Sequence, residues 1–520
     1  MKTKLTRRQM NLLLSQTIAA APALAWATKF VAAMPAPAEP AGKSGAPVYV
    51  VLWFDTEDYM LPASDDAAKR LADFLIVQGV RATFKVVGEK ARDLEARKRT
   101  DVIAALNRHE IGYHSNTHSQ QPTPAEYESV LDWEQGAAEF DRRERGGFSD
   151  VARIFGHAPT CYGQPGVSWA PQAYQTLKKW GVPVYLDDGQ HVGLDGKPFW
   201  YGGLLNIFNI AAGRGLEPNE DWTNIAAARD YFTSLHQQIS AQPAGGLVSF
   251  MFHPTQFISQ RFWDAVNFLN GANPPRSQWK LQPQLSPAES KQAFQYFDDL
   301  IRHIKSLPNV RFITASEAHA LYRDRARSRT FTPEELMTIA AKVTPQIGFQ
   351  LHDSFNLSAS EVLALLNQFV ANSVAGKASE PVVLRDTPYG PSSPAYGVAS
   401  DQIAEVSWEQ FARTVRDVAH LLGRSQQIPN AVWMGSVAVS PESYLAALAS
   451  VAKTLLSKQP PPESVKIVPA ELAAGKFVAR DSAAIWNWPI FPQGFHSPHL
   501  MELARLQAWT LKPALLPAAK

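Results

Sequence analysis

From Pro47 the chain alternates apolar strand-like runs with amphipathic segments, and this alternation constrains the fold more than any other feature. Val48-Tyr49-Val50-Val51-Leu52-Trp53-Phe54 is continuously apolar, the pattern of a strand buried on both faces. Asp65 to Gln78 follows with helical periodicity, Ala68, Leu71, Phe74 and Leu75 sharing a face, and Gly79 breaks it. Ala82 to Val87 reads as a second strand and Glu110 to Tyr113 as a third, with a helix over Asp101 to Leu106 between them. Further strands are expected at Pro183 to Leu186, Leu204 to Ile210, Gly246 to Phe252 and Val310 to Thr314. Helices are expected at Gln172 to Trp180, Asn224 to Ser240 and Pro287 to Ser306. Alternation of this kind means a parallel sheet, and so many units in succession point to a closed β/α barrel. An open doubly wound sheet is the alternative, but no glycine-rich nucleotide fingerprint accompanies it.

In such a barrel the working residues sit at the C-terminal ends of the strands. Four polar clusters fall there: Asp55-Thr56-Glu57-Asp58, His114 to His118, Asp187-Asp188, and His253. One such cluster is ordinary, because Asp and Ser also cap helices. Four clusters of carboxylates and imidazoles are hard to explain as caps. In His114-Ser115-Asn116-Thr117-His118 two imidazoles lie four residues apart directly after a strand, and a loop or first helical turn there aims both rings at one point. Two aimed imidazoles are most of a zinc site; a carboxylate and an open position complete a catalytic one.

The bulk numbers narrow the class. At 520 residues the chain exceeds one ordinary domain, and 45% hydrophobic with 19% charged residues describes a globular protein with a sizeable core. A net charge of +2, with no basic block in the body, gives no reason to expect nucleic acid as a partner. Cys161 is the only cysteine, which excludes an intrachain disulfide framework and a cysteine-based zinc site. Fourteen tryptophans suit carbohydrate handling, since sugar rings stack on indole faces, and suit core packing equally. The same pair of readings applies to Phe199-Trp200-Tyr201 and Trp486-Asn487-Trp488-Pro489.

Residues 1–44 read as an export signal and linker. Twin arginines, Arg7-Arg8, precede the apolar run Asn11 to Leu14 and an Ala-rich stretch with small-x-small cleavage candidates, a pattern that resembles a twin-arginine signal. The expected location is therefore periplasmic or extracellular, with no membrane span in the mature chain. After Tyr322 the charged connector Arg323 to Arg329 opens a mainly helical region, 330–520, with capped helix starts at Thr332, Ser358, Ser407 and Ser440. Ile428 to Gly435 before the last of these resembles pseudomurein-binding repeats. Two wall-polymer-binding repeats, or a helical accessory region packed on the barrel, are the two expectations.

Ala82-Thr83-Phe84-Lys85-Val86-Val87-Gly88 followed by His109-Glu110-Ile111-Gly112-Tyr113-His114-Ser115-Asn116-Thr117-His118 resembles the paired motifs of the polysaccharide deacetylases, the NodB-homology enzymes of carbohydrate esterase family 4. The likeness runs from about Val48 to Tyr322 and places this domain at 47–322. It implies an incomplete, distorted β/α barrel and a divalent metal, usually zinc, that serves hydrolysis of N-acetyl groups on an amino-sugar glycan. Carried onto this chain, it implies Asp55 as base, Glu57 with His114 and His118 as metal ligands, and Asp58 as the alternative carboxylate. Residues two apart on an extended backbone point the same way, which favours Asp55 with Glu57. Gly246 to Pro254 matches the late-strand motif, with His253 as the acid that protonates the leaving amine. Tyr162 is the implied backbone donor to the developing oxyanion.

The third motif departs from the pattern. Where many members carry an arginine that orients the base, this chain has Gly163 or Gln164, which leaves Asp187 or Asp188 to tune it. That departure keeps two further readings open: a non-catalytic glycan or cell-wall binder on a degenerate barrel, and a hydrolase of a non-sugar amide.

Overall fold

The computed structural model describes residues 45–208, 216, 222–395 and 404–517. The export-signal reading of 1–44, and the last two residues of the strand expected over Leu204 to Ile210, lie outside these residues. Nine strands form the main sheet: β1 Val48–Thr56, β2 Thr83–Val86, β3 Glu110–Tyr113, β4 Cys161–Tyr162, β5 Val184–Asp187, β6 Phe199–Tyr201, β7 Leu204–Phe208, β8 Gly246–Phe252 and β9 Val310–Phe312. Their order is β6-β7-β5-β4-β3-β2-β1-β8, with β9 also on β1. All run parallel except β6, which forms an antiparallel hairpin with β7. Among the described residues β8 pairs only with β1, so the sheet curls without closing: the closed barrel expected from the alternation gives way to the incomplete barrel that the resemblance implies.

β1 organises this sheet. One edge pairs with β8 along Val48 to Phe54; the other is shared between β9 at Val48 to Val50 and β2 at Trp53 to Thr56. Its pleat sorts side chains onto two faces. Val48, Val50, Leu52 and Phe54 face the helices and join the large outer core; Val51 and Trp53 face the barrel interior with Cys161, Val184, Leu186, Leu205, Ile207 and Leu247. The helix Ala315–Leu321 closes the lower end, Ala315, Ala318 and Tyr322 packing into the same interior. Glu110 ties it there, accepting from Thr83 Oγ1 (2.8 Å), Thr160 Oγ1 (2.6 Å) and the Ala315 amide (2.6 Å).

The sequence reading passes over one long element, the helix Trp133–Phe155. Its buried stripe runs Trp133, Gly136, Ala137, Phe140, Glu144, Gly147, Val151 and Phe155. A glutamate and two glycines interrupt the apolar periodicity that would have marked it. The glycines are there for contact: a Cβ at Gly147 would lie 2.6 Å from Asn116 Oδ1 and from the Tyr113 hydroxyl, and one at Gly136 would lie 2.6 Å from the Gln172 side chain.

Beyond Tyr322 the helices Pro333–Ala341, Ala359–Val374, Trp408–Ser425 and Pro441–Leu456 surround a second core of their own, including Leu363, Leu366, Phe411, Tyr444 and Leu448. The chain then returns to the barrel: Trp486, Phe491, Leu500 and Met501 belong to the first core, and the strand Lys512–Pro513 adds antiparallel to β6. Among the described residues no helix is long and apolar enough to cross a membrane.

A buried ion cluster fixes that return. Lys512 Nζ lies 2.7 Å from Asp324 Oδ2 and 2.8 Å from Glu361 Oε1, and Lys512 and Glu361 are fully buried. Burial disfavours the ammonium, but the two carboxylates more than offset this and raise its pKa. Removing one member of such a cluster strands the others. We expect Lys512→Met to lower unfolding stability by about 3–5 kcal/mol, measured by urea denaturation; a loss indistinguishable from zero would contradict the assignment.

Candidate active site

The inward row of β1 continues past Val51 and Trp53 to Asp55 and, just beyond the strand, Glu57. Both stand at the rim of a cavity of about 800 Å³, with His118, Asp187, Asp188 and His253 also on its wall. Glu57 converges on the histidine pair: Oε2 lies 3.3 Å from His114 Nε2 and 2.7 Å from His118 Nε2. The three groups are buried, and one ligand atom from each lies within 4.8 Å of the others.

The loop that aims the histidines is a strained turn rather than a helix. Ser115 (φ 65°) and His118 (φ 57°) both occupy the left-handed region, which side-chain-bearing residues adopt sparingly. The surroundings impose it. The Gly88 and Glu89 amides donate to Ser115 O (3.0 Å) and Asn116 O (2.8 Å), and the His118 amide donates to Ser115 Oγ (3.1 Å). Glu144, on the helix Trp133–Phe155, accepts from the Asn116 amide (2.7 Å) and the Tyr113 hydroxyl (2.8 Å). Burial pushes its carboxyl up to about 7.

Hydrogen bonds settle which imidazole nitrogens are free. His114 Nδ1 faces Gly163 O at 3.0 Å, a carbonyl that can only accept, so Nδ1 carries the proton. Ser119 donates its hydroxyl to Asp264 Oδ2 (3.0 Å) and therefore accepts from His118 Nδ1 (2.6 Å). Both Nε2 atoms are then lone pairs pointed at a carboxylate. Three acceptors facing one another are held together by a shared cation or by an added proton. Without a cation, burial works against a charged His118, but the charge and hydrogen bond of Glu57, with Asp264 and Asp55, together more than offset it and raise its pKa, whereas burial lowers that of His114. Glu57 is oriented from behind by Trp263, whose indole N–H donates to Oε1 (2.9 Å). A His/His/carboxylate set, each member held by a hydrogen bond to its rear, is the donor chemistry of a divalent metal centre.

Asp58 takes another part. Its Oδ1 accepts from the Met60 (2.9 Å) and Leu61 (3.1 Å) amides, and its Oδ2 from Thr255 Oγ1 (2.9 Å) and Gln282 Nε2 (2.6 Å). Both oxygens are spent on holding the loop after β1 against the turn after β8. Of the two carboxylates, Glu57 is the one brought to the histidines. The Tyr162 ring packs among Tyr113, Phe140 and Tyr185 in the outer layer, and the residue is not among those lining the cavity.

Asp55 sits between two histidines, its Oδ1 3.6 Å from His114 Nδ1 and its Oδ2 3.6 Å from His253 Nε2. The Lys85 ammonium lies 3.0 Å from Asp55 Oδ1 and 2.7 Å from Asp187 Oδ2, over the Trp53 ring. Burial works against this charge, but the two carboxylates outweigh it and raise the lysine pKa; burial pushes Asp187 up to about 7. The Phe262 ring stands edge-on to His253 at 4.7 Å, and Trp488 edge-on to His118 at 5.5 Å. Gly166 is required for the latter contact, since a Cβ there would lie 2.4 Å from the Trp488 ring. Of the aromatic segments read from sequence, Phe199-Trp200-Tyr201 is packed, whereas Trp488 lines the cavity.

Lys85, Ser119, Trp263 and Asp264 escape the sequence reading of the site. Only Lys85 carried a local signal: a charged residue in an otherwise apolar strand, two positions from Thr83 on the interior face.

No family model matches the chain, and no curated protein matches it. Among solved structures it is similar to a family 4 acetyl xylan esterase from Clostridium thermocellum in complex with a cobalt ion (17% identity, 53% of this chain and 91% of that one, TM-score 0.28). It is also similar to a peptidoglycan deacetylase from Bacillus subtilis (14%, 53% and 91%, TM-score 0.29). A third match is the family 4 esterase domain of a multidomain xylanase from a Trinervitermes trinervoides hindgut metagenome (14%, 53% and 90%, TM-score 0.29).

Among the described residues the geometry predicts one divalent-cation site. Isothermal titration with zinc should show one-to-one binding, abolished in Glu57→Ala and weakened about 10–100-fold in Trp263→Phe. Wild-type affinity in Glu57→Ala would contradict the site.

Proposed function

We propose that this chain is an exported, divalent-metal-dependent hydrolase that removes N-acetyl groups from an amino-sugar glycan, with zinc as the metal. The observation that carries this reading is the pair of lone-pair-bearing Nε2 atoms turned on Glu57, with Asp55 and His253 beside it on one cavity wall. A cation held by Glu57, His114 and His118 supplies Lewis acidity toward the acetyl carbonyl and acidifies water.

The remaining chemistry belongs to the chain. In this reading Asp55, which lines the cavity with its Oδ2 3.6 Å from His253 Nε2, takes a proton from the attacking water. His253 protonates the leaving amine. His253 lines the cavity, with the Phe262 ring edge-on to its imidazole. Trp222, Phe262 and Trp488 give the cavity aromatic faces, which suit the C–H faces of a pyranose. Trp488 comes from the returning C-terminal segment, so the region after residue 330 is part of the substrate-facing wall. The sequence motifs quoted above, with their spacing, support the same activity.

Acetate release from N-acetylglucosamine oligomers by the metal-loaded protein tests this reading. Chelation or the double variant His114→Ala/His118→Ala should abolish release, and Asp55→Asn should lower kcat by about 100–10,000-fold. Unchanged turnover in the double variant would sink the metal-dependent mechanism.

A further inference from the structure

We propose that Lys85 is the positioning residue for the Asp55 base, holding Oδ1 so that Oδ2 is presented to the cavity. The proposal rests on the hydrolase reading above for the role of Asp55, and on geometry for the role of Lys85. The ammonium lies 3.0 Å from Asp55 Oδ1, whereas His253 approaches Oδ2. The two oxygens of one carboxylate thus have different neighbours, a buried fixed cation on one and the substrate cavity on the other.

The interior is shaped for this side chain. Lys85 faces Asp55 across the β1–β2 register and Gly112 across the β2–β3 register. A Cβ at Gly112 would lie 2.9 Å from Lys85 Cγ, and one at Gly163 would lie 2.0 Å from Lys85 Nζ and 2.1 Å from Asp187 Oδ2. Bare backbone on β3 and just after β4 makes room for the stem and the ammonium respectively. Gly163 is one of the two positions, with Gln164, at which the resemblance to the deacetylases implies an arginine. No side chain fits at Gly163 while Lys85 occupies the space, and the cation beside Asp55 comes from β2. Asp187 is its second anchor, with Oδ1 accepting from the Asp188 amide (2.7 Å) and Oδ2 paired with Lys85.

A buried cation between two carboxylates also has a purely structural reading, in which it only prevents their repulsion. The double variant Lys85→Met/Asp187→Asn separates the two. It removes the cation and one carboxylate together and leaves the site without an added net charge. If Lys85 positions the base, the double variant keeps the wild-type zinc affinity and KM, and its kcat falls by about 100-fold. Wild-type kcat in that variant overturns the proposal. A crystal structure of the zinc-loaded double variant gives a readout independent of turnover: the Asp55 carboxylate should rotate away from its place beside His253, and an unmoved Asp55 overturns the proposal even if wild-type protein releases no acetate. Absence of release from wild type contradicts the hydrolase reading alone. Lys85→Met by itself, which strands two carboxylates, should lose both stability and kcat.

Discussion

β1 is bonded to β2, β8 and β9 at once, and its pleat therefore fixes the direction of the two carboxylates the site uses. Val51 and Trp53 fill the interior, Asp55 meets Lys85 and His253, and Glu57 meets the histidines. A slip of one residue would bring the row Val50, Leu52 and Phe54 onto the interior face and turn Asp55 and Glu57 away from the cavity. Burial of that row on both faces is what makes the register unambiguous, so the same apolar contacts that stabilise the sheet also aim its acids.

The charged groups around β1 persist in this interior because they are partnered. Lys85 is shared by Asp55 and Asp187, Glu110 anchors the closing helix, and Asp58 is saturated by two amides, a hydroxyl and an amide side chain. Against that background the arrangement at Glu57 stands apart. His114 and His118 each spend Nδ1 on a neighbour and turn Nε2 toward a carboxylate. Such a cluster makes chemical sense around a cation, and its rear supports, Gly163 O, Ser119–Asp264 and Trp263, keep the ligands pointed inward.

Much of this is legible in the sequence. The continuous run Val48 to Phe54 and the motif around His114 announce a parallel sheet with two imidazoles at a strand end, and Asp55, Glu57 and His253 follow from strand-end position and period-two spacing. The helix Trp133–Phe155 is not legible, because glycines and Glu144 occupy the positions where apolar residues would signal it. Trp263 supports Glu57 across 206 residues of chain, and Lys85 meets Asp187 across 102; no local pattern encodes such meetings. The choice between Glu57 and Asp58 also needed the fold, since it turns on which carboxylate the turn after β8 consumes.

The most direct test of the account is anomalous diffraction at the zinc edge from crystals of the full chain soaked in zinc. The account predicts a single strong peak bonded to a Glu57 oxygen, His114 Nε2 and His118 Nε2, with Asp58 still bound to its amides and to Thr255 and Gln282. A peak on Asp58, or none between the two imidazoles, would contradict it.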